Sequence, residues 1–293
     1  MKKGIFSVSY SGLWGQEKLD TIDFIHKAKK LGYDGVLIMA KRPHLSLIDA
    51  DDETVERVRS ALDSTGLELI GLAAYTDYLL PAPGEVPISE MQRLYVERCA
   101  ALCSKLGGSV LRIFTGYDRG DRTRASMENR VVASIRDAAA DAADHGILVS
   151  VQNHHDLGVH TDEFSMILDS IGAENARAGF DAWSPHLRGE DLYTAARGIA
   201  SKVYMTICAD YKTFPRYRYE PELVNYLRLE PDAVKATLMG EGEIDYTAFF
   251  RGLREGGFDG WAVYEMCSPV IGGGTMENLD RHAAGFVDWL DSL

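Results

Sequence analysis

The chain has 293 residues, 46% of them hydrophobic and 26% charged, with a formal net charge of −13. That balance excludes a general affinity for nucleic acid, which rests on clustered Lys and Arg. No segment approaches the roughly 20 uninterrupted apolar residues of a membrane helix, and residues 1–16 lack the apolar run of a secretory signal. A cytoplasmic protein of one domain, residues 1–293, is expected. Its cysteines, Cys99, Cys103, Cys208 and Cys267, form neither a CxxC pair nor a dense framework, so reduced, buried thiols are expected.

In chain order, short apolar and β-branched runs alternate with amphipathic stretches, the pattern of parallel βαβ units. Strands are predicted at 4–9, 35–39, 67–73, 109–114, 148–153, 178–181, 203–208 and 260–265. Helices are predicted at 18–30, 54–64, 88–106, 125–145, 161–171, 245–255 and 277–293. Cys99 and Cys103, four apart, share a helix face and read as core rather than as zinc ligands. The phrase Gly32-Tyr33-Asp34-Gly35 returns as Gly257-Phe258-Asp259-Gly260, each time between a helix and a strand. Glycine there suits the positive φ of a helix C-cap. Eight strands predict an α/β fold, a single (β/α)8 TIM barrel, and a barrel of about 250 residues fits the length. An open doubly wound sheet is disfavoured because no GxGxxG follows the first strand. Gly272-Gly273-Gly274 comes late and reads as backbone freedom or as an anion seat beside the last helix.

In such a barrel the chemistry sits at the carboxyl ends of the strands. Strand five ends Ser150-Val151-Gln152-Asn153-His154-His155, strand six Phe180-Asp181, strand seven Thr206-Ile207-Cys208-Ala209-Asp210 and strand eight Tyr264-Glu265. Period-two alternation places Ser150, Gln152 and His154 on one face and turns His155 to the other. Oxygen donors converging with an imidazole suit a divalent metal. A lone acid at a strand end is as often a loop-fixing acceptor, so the weight lies on the set.

Gln152-Asn153-His154 is similar to a Glu-Asn-His phrase, and Phe180-Asp181 to a strand-six end, of the xylose isomerase-like barrel superfamily. Residues 239–245 resemble its Gly-x-Gly-x-Ile-Asp phrase and residues 257–265 its last strand, so the resemblance spans nearly the whole chain. That superfamily holds sugar phosphate isomerases and epimerases, inosose-processing enzymes and a DNA-repair endonuclease branch. The resemblance implies one divalent metal, manganese or magnesium first and cobalt or zinc next, with Gln152, Asp181, Asp210 and Glu265 as candidate ligands. It implies an isomerase or epimerase of a sugar, keto-sugar or related polyol carbonyl, with Glu265 as base and an enediolate intermediate. The chain departs from the pattern twice: Gln152 stands where a Glu is expected, and strand seven lacks a His before Asp210. An amide oxygen still coordinates a hard cation but takes up no proton, which predicts weaker metal binding. His154 is then the candidate second proton carrier. A lyase or dehydratase using the same enolate is the alternative, a non-catalytic sugar-binding barrel is another, and an endonuclease suits the residues least.

Candidate substrate contacts are Lys41, His44 and Arg112, at or just beyond strands two and four, together with His155, Trp183 and Arg216. The loop 75–84, rich in aromatics and prolines, is expected to wall the substrate. Residues 211–219 interleave basic and aromatic side chains, a mixture suited to a sugar ring, to an anionic group, or to a contact in a homo-oligomer.

Overall fold

The computed structural model describes residues 1–81 and 85–293. Its strands are β1 (Lys2–Phe6), β2 (Gly35–Met39), β3 (Glu68–Ala73), β4 (Val110–Ile113), β5 (Leu148–Gln152), β6 (Ala176–Asp181), β7 (Val203–Cys208), β8 (Asp210–Glu220), β9 (Asn225–Thr237) and β10 (Trp261–Tyr264). All but β8 and β9 run parallel and close a barrel in the spatial order β1-β10-β7-β6-β5-β4-β3-β2. Around it lie α1 (Thr21–Lys30), α2 (Asp52–Thr65), α3 (Ile88–Lys105), α4 (Arg124–Ala143), α5 (Thr161–Ile171), α6 (Trp183–Leu187), α7 (Leu192–Ile199), α8 (Tyr246–Glu255) and α9 (Met276–Asp291). The expected single (β/α)8 TIM barrel is the fold observed.

Alternation along the barrel strands sorts side chains into two cores. Phe6, Leu37, Met39, Ile70, Val110, Met205, Trp261 and Val263 fill the interior. Val36, Ile38, Leu111, Ile113, Val149, Val151, Phe180 and Ala262 face outward and pack under the helices. Phe180 carries this outer packing across layers, with its ring centroid 6.5 Å from Phe164 of α5 and 5.6 Å from Phe249 of α8. Cys99 and Cys103 are buried on α3, as a core stripe requires.

The ends of the elements follow their residues. Asp20, Asp51, Thr123, Asp191, Asp245 and Thr275 each precede a helix and accept a hydrogen bond from the N–H three residues on. Gly32 and Gly257, the two echoing glycines, hold φ of 87° and 88° just past helix ends, where a side chain would be strained. The late glycines serve the fold. Asn278 Nδ2 donates to the carbonyls of Ile271 and Gly273, and the N–H of Met276 donates to the Glu17 carboxylate at 2.8 Å, so the anion at this helix start is the chain's own. Among the described residues, no helix is long and apolar enough to cross a membrane.

One element departs from the alternating pattern. Between β7 and α8 the chain makes an antiparallel hairpin of β8 and β9, paired from Asp210 with Thr237 to Glu220 with Asn225. Phe214, Tyr217, Tyr219 and Tyr226 are exposed on it.

Candidate active site

Four barrel strands bring one inward position each to the same level of the mouth. Because Val149, Val151 and Phe180 face outward, Ser150, Gln152 and Asp181 must face inward. The register sets Gln152 beside Gly179, and Asp181 and Val263 each beside Ile207. Glu265, two residues past inward-facing Val263, completes the ring. Gln152, His154, Asp181, Trp183, Ile207, Tyr211, Glu265 and Cys267 line one cavity of about 20 Å³, the space of a single water or ion.

Asn153 ties the ends of β5 and β6 together. Its Oδ1 accepts from the Asp181 N–H at 2.7 Å and its Nδ2 donates to the Asp181 carbonyl at 3.0 Å. The Asp181 carboxylate accepts from the Ser184 N–H at 3.1 Å and from Gln152 Nε2 at 3.2 Å. A carboxylate only accepts, so the Gln152 amide must turn its NH2 toward it. Gln152 Oε1 is left buried and without a hydrogen-bond partner. Burial raises the Asp181 carboxyl, against the pull of His154. Burial also pushes Glu265 up to about 7, with the Arg112 cation opposing and the Asp181 charge adding to the rise.

The donors fit a hard divalent cation: two carboxylates and an orphaned amide oxygen around an ion-sized space. Among the described residues no three His, Cys, Asp or Glu side chains cluster as a metal site. The third donor here is an amide, and Ile207 occupies the inward position of β7.

Above this space opens a cavity of about 500 Å³, lined by Lys41, Tyr75, Arg112, Phe114, Tyr117, His154, His155, Glu265 and Cys267 among others. Tyr75, Thr76, Asp77 and Leu80 of the loop after β3 form one wall of this cavity; residues 82–84 of that loop lie outside the described residues. His154 lines both cavities. Its Nδ1 accepts from the His155 N–H at 2.7 Å, so the neutral ring carries its proton on Nε2. Burial lowers His154, opposed by the Asp181 charge. The two histidines do not face opposite ways. His155 takes φ 71°, which breaks the alternation and packs its ring 4.3 Å from Phe114 and 4.0 Å from Tyr117. Burial first, then the neighbouring His154 and Arg112, hold His155 down at about 3, so it is neutral.

Three sequence candidates fall outside the site. Asp210 turns away from both cavities and accepts from the backbone N–H groups of Gly242 at 2.8 Å, Tyr211 and Gly240 at 3.0 Å and Ile244 at 3.4 Å. A Cβ on Gly242 would meet Asp210 Oδ1 at 1.9 Å, so the Gly-Glu-Gly-Glu-Ile-Asp phrase is a cradle for this carboxylate. His44 lies buried against Phe24, ring centroids 5.9 Å apart, and lines neither cavity. Arg216 is out on β8, donating to the Pro231 carbonyl at 3.1 Å. Lys41, Arg112, His155 and Trp183 do line the cavities. The sequence reading missed Cys267 and singled out Tyr211 only as the first residue of the 211–219 segment; the Tyr211 OH and Cys267 Sγ stand 3.4 Å apart. The signal for Cys267 was its place two residues after Glu265. A groove of about 560 Å³ between α5 and α7 shares no lining residue with the two cavities.

No curated protein sequence matches the chain significantly. Among solved structures it is similar to the D-psicose 3-epimerase of Clostridium cellulolyticum, solved with D-tagatose, at 17% identity and TM-score 0.79 over 100% of this chain and 99% of that one. The D-allulose 3-epimerase of Methylomonas sp. matches at 18% identity and TM-score 0.73, over 100% of this chain and 97% of that one. The probable 3-DHS dehydratase AsbF of Bacillus anthracis, involved in petrobactin synthesis, matches at 16% and 0.74 over 99% of each chain. At these identities the likeness is one of fold. A family model described as a xylose isomerase-like TIM barrel matches residues 25–292, and the chain belongs to that family.

Proposed function

We propose that the chain is a metal-assisted isomerase or epimerase of a small polyhydroxylated carbonyl compound, with Glu265 moving the proton. The observation that carries this reading is Gln152 Oε1, buried and unpartnered in an ion-sized cavity shared with Asp181 and Glu265. The shared fold with two sugar 3-epimerases supports the substrate class. Gln152, Asp181 and Glu265 would hold the cation, and three oxygen donors suit manganese or magnesium better than cobalt or zinc. Such a cation, when bound, supplies positive charge beside adjacent substrate oxygens.

The chain's own residues do the rest. Glu265, ionised, takes the proton from the carbon beside the carbonyl, and the electron pair moves onto the carbonyl oxygen, giving an enediolate. The same carboxyl, once protonated, returns the proton to the enediolate. His154, neutral and donating through Nε2, serves the substrate oxygens from the wall between the two cavities. Tyr75, Phe114 and Tyr117 exclude water and offer ring faces to the C–H groups of a sugar.

Gln152 supports a second reading, because it takes up no proton and leaves Glu265 the one carboxylate base. In a dehydratase or lyase, Glu265 removes the same proton and a β-hydroxyl departs as water with a proton from His154. Incubation of metal-replete protein in deuterated water with a panel of neutral and carboxylated ketoses, followed by NMR, tests both. Deuterium at the substrate carbon, absent with Glu265→Gln, is the expected result; vinylic signals mark the second reading. Neither signal from any member of the panel sinks both.

A further inference from the structure

The larger cavity carries two cations, Arg112 and Lys41, that have no ion-pair partner within 4.0 Å among the described residues. Arg112 follows Val110 on the inward face of β4 and is 1% exposed. A guanidinium has five N–H donors. Among the described residues, its hydrogen bonding is limited to Nη1 on the Ala74 carbonyl at 3.4 Å, its Nε is buried without a partner, and no carboxylate pairs with it. The rings of Phe6, Tyr75 and Phe114 stand 5.2, 5.0 and 4.0 Å from its Cζ. They attract the cation but accept none of its conventional hydrogen bonds. Lys41 Nζ lies 3.7 Å over the Tyr75 ring at the same cavity, likewise without an ion pair among the described residues. Of the acids there, Asp77 is paired with Arg119 at 2.6 Å, and Glu265 also lines the metal-sized space.

We propose that the substrate carries a carboxylate, held between Arg112 and Lys41 while Glu265 works on a neighbouring carbon. The substrate class is then a small polyhydroxylated or keto acid rather than a neutral sugar. This rests on reading the cavity as the substrate site. A carboxylate matches the planar fork of the guanidinium and supplies the opposite charge that buried Arg112 and half-buried Lys41 lack. A phosphate seat ordinarily adds backbone N–H groups at a helix start. Here the cationic donors are side chains, and the glycine-rich loop after β10 is folded onto Asn278 and Glu17. A doubly charged ester would also meet stronger repulsion from Asp181 and Glu265.

Isothermal titration calorimetry of D-glucuronate against D-glucuronamide, and of D-gluconate against D-gluconamide, isolates one charge in each pair. D-glucose 6-phosphate is the phosphate arm, and each titration runs with and without manganese. The acids are expected to bind about tenfold or more tighter than their amides, a gap that shrinks in Arg112→Met and in Lys41→Met. Lys41 is only half-buried, so its variant keeps the test alive if Arg112→Met does not fold. Equal binding of acid and amide, or no binding by either, overturns the proposal. So does an acid preference that needs manganese and survives both substitutions, and tightest binding of the phosphate ester overturns the choice of carboxylate. Because binding is read without turnover, acid-selective binding with no carbon exchange sinks the isomerase and spares the anion site. Exchange of neutral ketoses without acid preference does the reverse.

Discussion

The ends of β6 and β7 each present a buried aspartate, and the chain uses the two in opposite ways. Asp210 accepts four backbone N–H groups from a loop whose glycines leave room for it, and no lone pair is left to face a ligand. Asp181 accepts one backbone N–H and the Gln152 amide, and its carboxylate lines an ion-sized cavity. Both are raised by burial, so neither burial nor a shifted pKa separates scaffold from site. Unspent bonding capacity on a residue that also lines a cavity does; His44, whose two ring nitrogens are equally unpartnered, lines neither cavity and stays with the fold. By that measure Gln152 Oε1 and Arg112 Nε belong to the site, whereas Asp210, in the same sequence context as Asp181, belongs to the fold.

Substitutions should separate the two aspartates and the residues around them. The largest effect is expected at Glu265, where Glu265→Gln lowers the rate of substrate-carbon exchange by about 10³-fold with the fold intact by circular dichroism. An unchanged rate would remove Glu265 from the chemistry. Next, Asp210→Asn replaces a charged acceptor of four N–H groups and destabilises by about 3 kcal/mol in urea unfolding. Asp181→Asn is expected to cost less than about 1 kcal/mol while abolishing manganese binding; equal losses of stability would erase the distinction drawn between the two acids. Gln152→Glu adds a charged ligand, and manganese affinity measured by paramagnetic resonance should rise about tenfold. The smallest effect is a titration. In metal-free protein, carbon-13 NMR of the Glu265 carboxyl should give a midpoint near the value of about 7 set by its burial, against 4.5 for a free glutamate. The raised folded value means that its contribution to stability is full below 4.5 and is lost as pH rises through about 7. A midpoint near 4.5 would contradict the burial ascribed to this group.

The barrel was legible because its strands are covered on both faces and read as short continuous apolar runs. Gly35–Met39 and Val203–Cys208 emerge with the bounds the sequence predicts. The hairpin was not. β8 and β9 stand in solvent with aromatic, basic and acidic residues mixed on both faces, so neither period two nor a buried run marks them. The missing helices α6 and α7 are short, with five and eight residues. Asp181, Gln152 and Glu265 were visible as polar ends to apolar strands, and alternation gave their common direction. It failed at His155, where φ 71° ends the extended backbone, and it says nothing about long-range folding of loops. Hence His44, one residue past Pro43, was read as a substrate contact although its loop packs it against Phe24 of α1. The fate of Asp210 was set by Gly240 and Gly242, some thirty residues on, a pairing that the phrase at 239–245 hinted at only by its glycines.

Anomalous diffraction from crystals grown with manganese most directly tests whether one cation sits among Gln152, Asp181 and Glu265. We predict a single strong peak per chain in contact with the amide oxygen and both carboxylates, and its loss in Asp181→Asn. A peak elsewhere on the chain, or none where solution titration finds one equivalent bound, would contradict the account.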